Sequence, residues 1–104
     1  MTSPRLEQLN RFLEEDPGDP FTHYAIAMEY VKMKSFREAV GKLEEIILIE
    51  PHYVPAYHQL GLIHLELNNI NEARVILQRG IRTAGEVGDS HAGAEMEEVL
   101  EGLK

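Results

Sequence analysis

The feature that most constrains this chain is a spacing: the same short signals return after 34 residues. Glu38-Ala39 is followed by Glu72-Ala73, Pro17 by Pro51, and the run Ser35-Phe36-Arg37-Glu38 by Asn69-Ile70-Asn71-Glu72, each pair 34 apart. One such pair could be coincidence. Three that fall in phase with helix boundaries describe a repeated supersecondary unit. A unit this short cannot bury its own apolar face, so its copies must stack into a continuous core.

The unit reads as two helices. Ser3 followed by Pro4 is an N-cap with proline in the first helical position. It opens a helix with Leu6, Leu9, Phe12 and Leu13 on one face, ended by Asp16-Pro17-Gly18. Asp19-Pro20 repeats that signal and opens a second helix to about Met33. Ser35 and Glu38 read as a capping box, as do Asn69 and Glu72 one repeat later. They predict a third helix to Glu50 and a fifth to about Ala84, with a fourth from Pro55 to near Asn68. Gly85 and Gly88 read as chain breaks, and Asp89-Ser90 opens a sixth helix. No segment alternates with period two, so no strands are expected. Connections of a few residues force consecutive helices antiparallel.

On these residues the chain resembles the tetratricopeptide-repeat family, in its small bacterial-type form. The family signature is W-x2-L-G-x2-Y, then A-x3-F, then P. One copy here reads Tyr57, Leu60, Gly61, His64, Ala73 and Leu77, with Gly85 at the proline position. The other reads His23, Ile26, Ala27, Tyr30, Ala39, Leu43 and Pro51. Small residues at 27, 39, 61 and 73 suit close helix crossings, while Leu43 and Leu77 fill the space between repeats. The resemblance implies an all-α, right-handed superhelix of six antiparallel helices. Its expected divisions are a half repeat at 1–19, repeats at 20–53 and 54–87, and a capping helix at 88–104. In that last helix Met96, Val99, Leu100 and Leu103 form one apolar stripe. Glu95, Glu98 and Glu101 lie where a further repeat would need apolar contacts.

Charge and composition narrow the function. The 104 residues carry a formal net charge of −8 and no cysteine. The absence of cysteine excludes disulfides and thiol chemistry, and the acidity argues against nucleic acid and anionic membrane surfaces. No apolar run approaches the ~20 residues of a membrane span, and a cytoplasmic protein is expected. Residues 20–85 are neutral, whereas 1–19 carry −3 and 86–104 carry −5. Both ends being acidic, head-to-tail filaments are not expected.

Catalytic and metal readings find little to rest on. His23, His52, His58, His64 and His91 show no HExxH and no i,i+4 pair. His23 and His64 occupy aromatic positions of the repeat and read as packing residues, His52 as a surface residue. Adjacent acids such as Glu14-Glu15, Glu44-Glu45 and Glu97-Glu98 diverge by about 100° on a helix and cannot converge on one atom. No enzyme, cofactor or metal is expected. Lys32, Lys34, Arg37 and Lys42 gather by sequence around the second turn. There they favour the C-terminal end of the second helix, with an acidic docking segment as the alternative.

The resemblance places partner binding on the concave face, lined by the first helix of each repeat. Its groove positions hold Phe21, Tyr24, Met28, Val31 and Lys32, then Pro55, His58, Leu62, Leu65 and Glu66. Ala92, Met96 and Val99 follow in the last helix, with Met96 and Val99 expected to be partly covered. The Lys and Asn residues with which some family members clamp a C-terminal carboxylate are missing. The expectation is a non-catalytic scaffold that binds an apolar peptide or amphipathic helix through Phe21, Tyr24, Met28, Val31, His58, Leu62 and Leu65. The alternative is a homodimer formed through that same surface.

Overall fold

The side-chain caps expected at Ser3, Asp19 and Asp89 are made in the computed structural model, which describes residues 3–104. Each accepts from a backbone N–H of the first turn it opens, those of Leu6, Phe21 and Ala92. The helices are α1 (Pro4–Glu15), α2 (Pro20–Lys32), α3 (Phe36–Ile49), α4 (Val54–Glu66), α5 (Ile70–Val87) and α6 (Ser90–Glu101). Among the described residues there is no strand. Each helix packs against its sequence neighbours, and α4 also touches α6. The molecule measures 40 × 29 × 19 Å. Its least dimension is that of two helix layers about 10 Å apart. The inner layer is α2, α4 and α6; the outer layer is α1, α3 and α5.

Two expectations about helix ends are corrected. The capping boxes do not form, because neither the Ser35 nor the Asn69 side chain caps its helix. Their backbone N–H groups instead close the preceding helix. Ser35 N–H donates to the Tyr30 carbonyl at 2.8 Å, and Asn69 N–H to the His64 carbonyl at 2.7 Å. The residues before them, Lys34 and Asn68, take left-handed φ values of 59° and 62°. This is the Schellman ending, built twice in the same register. The second correction is α5, which runs on to Val87 rather than stopping near Ala84. Where Pro51 ends α3, the matching position is Gly85, which keeps its N–H and permits another turn. The helix stops at Gly88, whose φ of 77° suits a residue without Cβ.

The core lies between the layers. Ala27, Ala39, Leu43, Ile46, Ala73 and Leu77 are fully buried, as the repeat pattern requires. Burial of a leucine of this kind contributes roughly 1.5–3 kcal/mol. Close approach is built with glycine at two places. A Cβ on Gly61 would lie 2.5 Å from Leu77, and one on Gly80 would lie 2.5 Å from the Met96 sulfur and 2.6 Å from Tyr57 Cβ. At the N-terminal end Leu6 and Leu9 form a satellite cluster with Ile26. The Ser3 hydroxyl, while accepting from Leu6 N–H, donates to the Glu29 carboxylate at 3.0 Å and ties α1 to α2.

Candidate functional site

The inner face is built from the exposed sides of α2, α4 and α6. Two hollows open on it. One, of about 310 Å³, lies between α2 and α4 and is lined by Val31, Phe36, Leu62 and Ile63, with Lys34 and Glu66 at its rim. The other, of about 250 Å³, is bounded by Tyr24, Val54, Pro55 and Ala92, with His58, Asp89, His91 and Glu95 around it. Gln59 borders both and joins them into one oblique path across α4.

The expected groove residues fall into three groups. Tyr24 and His58 share the second hollow, and Val31 and Leu62 share the first. Phe21, Met28 and Leu65 line neither. Phe21 projects from the start of α2 with 69% of its surface exposed, Met28 packs half-buried against the core, and Leu65 is half-buried on α4. Sequence reasoning missed Phe36 and Ile63 in the first hollow, Val54, Asp89, His91 and Glu95 in the second, and above all Gln59, which lines both. As a polar residue between Tyr57 and Leu60 it carries no periodic signal.

Repeat-equivalent groove positions differ in depth. Met28, Leu62 and Met96 are each 34 apart, yet Leu62 is 36% exposed and Met96 is fully buried. The cause is visible one helix away. Gly80 leaves a hole that the Met96 side chain enters, whereas the position one repeat earlier is Ile46, itself fully buried. With that space occupied, Leu62 stays at the surface. Val99 is half-buried, as expected for a covered end.

Aromatic and charged groups set the character of the path. Tyr24 and Tyr53 pair with ring centroids 5.6 Å apart and planes tilted by 52°. Burial, then the neighbouring charge of Tyr53, pushes the Tyr24 hydroxyl above its usual 10.0. Tyr53 is raised by burial first and then by Asp19. On α6, His91 Nε2 lies 3.5 Å from the Glu95 carboxylate. The four-residue basic group expected from sequence is divided. Lys32, Lys34 and Arg37 are exposed, but Lys42 turns inward, 3.3 Å from His23 Nδ1 and 3.3 Å from Glu45. Among the described residues no three His, Asp or Glu side chains converge as a metal site, and no helix is long and apolar enough to cross a membrane.

Two stacked helical layers with an apolar inner path define a helical-repeat scaffold. The profile described as tetratricopeptide repeat matches residues 30–93, and the chain belongs to that family. A tetratricopeptide-repeat domain protein from Salinibacter ruber, solved by NMR in solution, is 34% identical. It superimposes with a TM-score of 0.79 over 86% of this chain and 93% of that one. The TPR2B domain of yeast Sti1, solved as a complex with pHsp70, gives a TM-score of 0.84 over 89% of this chain and 74% of that one. At 19% identity it shows the fold alone. The Hsp70-Hsp90 organising protein of Plasmodium falciparum (isolate 3D7) is 31% identical over 68 residues, 65% of this chain but 12% of that protein. Domains of this class are, in general, non-catalytic interaction modules.

Proposed function

We propose that this chain is a protein-interaction scaffold whose inner face takes an apolar segment, as an extended peptide or one face of an amphipathic helix. The observation that carries this reading is the joined pair of hollows. Apolar side chains that stacking would normally bury stay partly open there, Leu62 and Val31 above all, beside an aromatic pair at Tyr24 and Tyr53. Partners of this kind gain most from aromatic and aliphatic anchors in such hollows. The solved complex of the Sti1 domain with pHsp70 supports the use of this fold for a protein ligand. Because the chain spans 12% of the organising protein, only the module is carried over. The ligand chemistry differs from that of a carboxylate clamp, since the groove positions hold Tyr24, Met28, His58 and Leu62 rather than Lys and Asn.

The test is chemical-shift mapping of the labelled chain against a panel of synthetic amphipathic-helical and extended apolar peptides. Binding should move the resonances of Tyr24, His58, Gln59 and Leu62, and Leu62→Gln should abolish it while leaving the fold intact. Shifts confined to the outer layer, or binding unchanged by Leu62→Gln, would overturn this reading.

A further inference from the structure

Groove binding leaves the most exposed large apolar side chain of the described molecule without a role. Leu48, on the outer side of α3, is 84% exposed. Beside it two hollows of about 350 and 340 Å³ run together along the seam between α3 and α5, sharing Glu44, Leu60 and Ile76. Each is larger than either hollow of the inner face. Val75, 58% exposed, lines the other end of this seam. Repeat packing explains neither residue. One repeat after Leu48 stands Arg82, and one repeat before Val75 stands Gly41, so stacking works without an apolar group at these positions.

The seam also has an electrical direction. Glu72 lies at the Val75 end and Arg79 at the Leu48 end, with a second acid, Glu44, bordering both hollows between them. A surface that fits it must present an apolar knob beside a furrow, with its charges in the reverse order. A second copy turned about a two-fold axis does so, bringing Leu48 of each copy toward Val75 of the other and Arg79 toward Glu72. Knob and hole on one patch are the requirement of an isologous contact. The broad 40 × 29 Å face has room for the roughly 800 Å² per partner that a stable pair needs. We propose that the α3–α5 seam is a homodimer interface, with Leu48 of each copy seated in the furrow of the other. The inner faces then point outward on opposite sides of the dimer, free for their own partners. This surface is independent of the groove reading.

The test is the mass of the purified chain by light scattering and sedimentation, from low micromolar to near-millimolar concentration. Wild type should pass from monomer to dimer. Leu48→Lys should weaken dimerisation about tenfold or more without lowering the melting temperature of the dilute monomer, since an exposed side chain contributes little to it. Glu72→Arg should weaken it too, and adding Arg79→Glu should restore it. Arg79 also lies over the Tyr57 ring at 5.6 Å, so the melting point of the double variant is measured alongside. If that variant does not fold, Leu48→Lys and Glu72→Arg decide. Leu62→Gln should dimerise as wild type does. A chain that stays monomeric throughout overturns the proposal, as does a dimer that Leu62→Gln dissociates and Leu48→Lys does not.

Discussion

His23 Nε2 and the Tyr57 hydroxyl, one repeat apart, donate to the carbonyls of Pro17 and Pro51, each at 2.7 Å. The repeat needs a donor at this place to hold the inter-repeat turn against the next helix, and two different side chains supply it. What lies alongside changes to match. Glu45 stands 3.9 Å from His23, and the equivalent Arg79 stacks over the Tyr57 ring. A proline carbonyl fixes the histidine tautomer, because it can only accept. Nε2 therefore carries the proton and Nδ1 faces the Lys42 ammonium as acceptor. Tyr57→Phe keeps the ring and removes the donor, so it should cost about 1 kcal/mol and lower the melting temperature by a few degrees. An unchanged melting curve would mean that water replaces the hydroxyl at no cost. Tyr24 gives a second check at this scale. Its raised value means that its contribution to stability is whole below 10.0 and is lost as pH climbs through the folded-state value. Absorbance titration should show Tyr24 ionising above the usual range, and Tyr53→Phe should bring it down. The aromatic position at 23 and 57 was legible because it recurs every 34 residues. The pairing of Tyr24 with His58, and of Val31 with Leu62, was not, because it follows from how α2, α4 and α6 are offset across the inner face.

Helix starts were legible at all these caps, including Ser35 and Asn69, but the means was legible only where a side chain does the capping. Ser3, Asp19 and Asp89 announce themselves by residue type. The turns at Lys34 and Asn68 rest on a left-handed residue, and lysine gives no sign of adopting it. Asp19 allows a test of the first kind. Its carboxylate accepts from the Thr22 hydroxyl at 2.6 Å and from Phe21 N–H at 3.2 Å, and the Thr22 bond is the main reason its pKa lies below the usual 3.8. A depressed acid stabilises the fold above its unfolded value and loses that contribution as pH falls through the folded one. Melting temperature should therefore decline on acidification below about 4, and Asp19→Asn should flatten that part of the decline. The glycines of α5 give a sharper contrast. Gly80→Ala drives a Cβ into Met96 and Tyr57 and should cost about 1–3 kcal/mol, whereas at Gly85 nothing lies within 4 Å of the added Cβ. Gly85→Ala should instead stabilise α5 by about 0.5–1 kcal/mol. Equal effects in thermal unfolding would mean that the crossing of α5 with α6 is looser than described. Sequence could not separate these glycines, since the difference lies in what α4 and α6 place beside each.

A stacked molecule is held by neighbours only, so its stability runs along one dimension. The N-terminal end is its weakest contact: α1 rests on α2 through Leu6, Leu9 and Ile26, a cluster separate from the main core. Hydrogen exchange should accordingly open α1 before α4 and α5. The same one-dimensional core decides which apolar side chains belong to folding and which to partners. Leu43 is fully buried between the layers, Met28 is half-buried against them, and Leu62 stands 36% exposed beside a hollow. Glutamine at 43 removes buried apolar surface and leaves an amide without partners, a combined cost of several kcal/mol. That is of the order of the whole stability of a domain this size, so Leu43→Gln should leave the chain largely unfolded. Glutamine at 62 keeps its amide in water and should cost about 0.5 kcal/mol or less. Met28→Gln should fall between them, because its side chain is covered on one side by the core. Melting temperatures in the order Leu62→Gln, Met28→Gln, Leu43→Gln, highest first, would match this gradation of burial. If Leu62→Gln melted as early as Leu43→Gln, the inner face would be core, and there would be no surface left on it for a partner to cover.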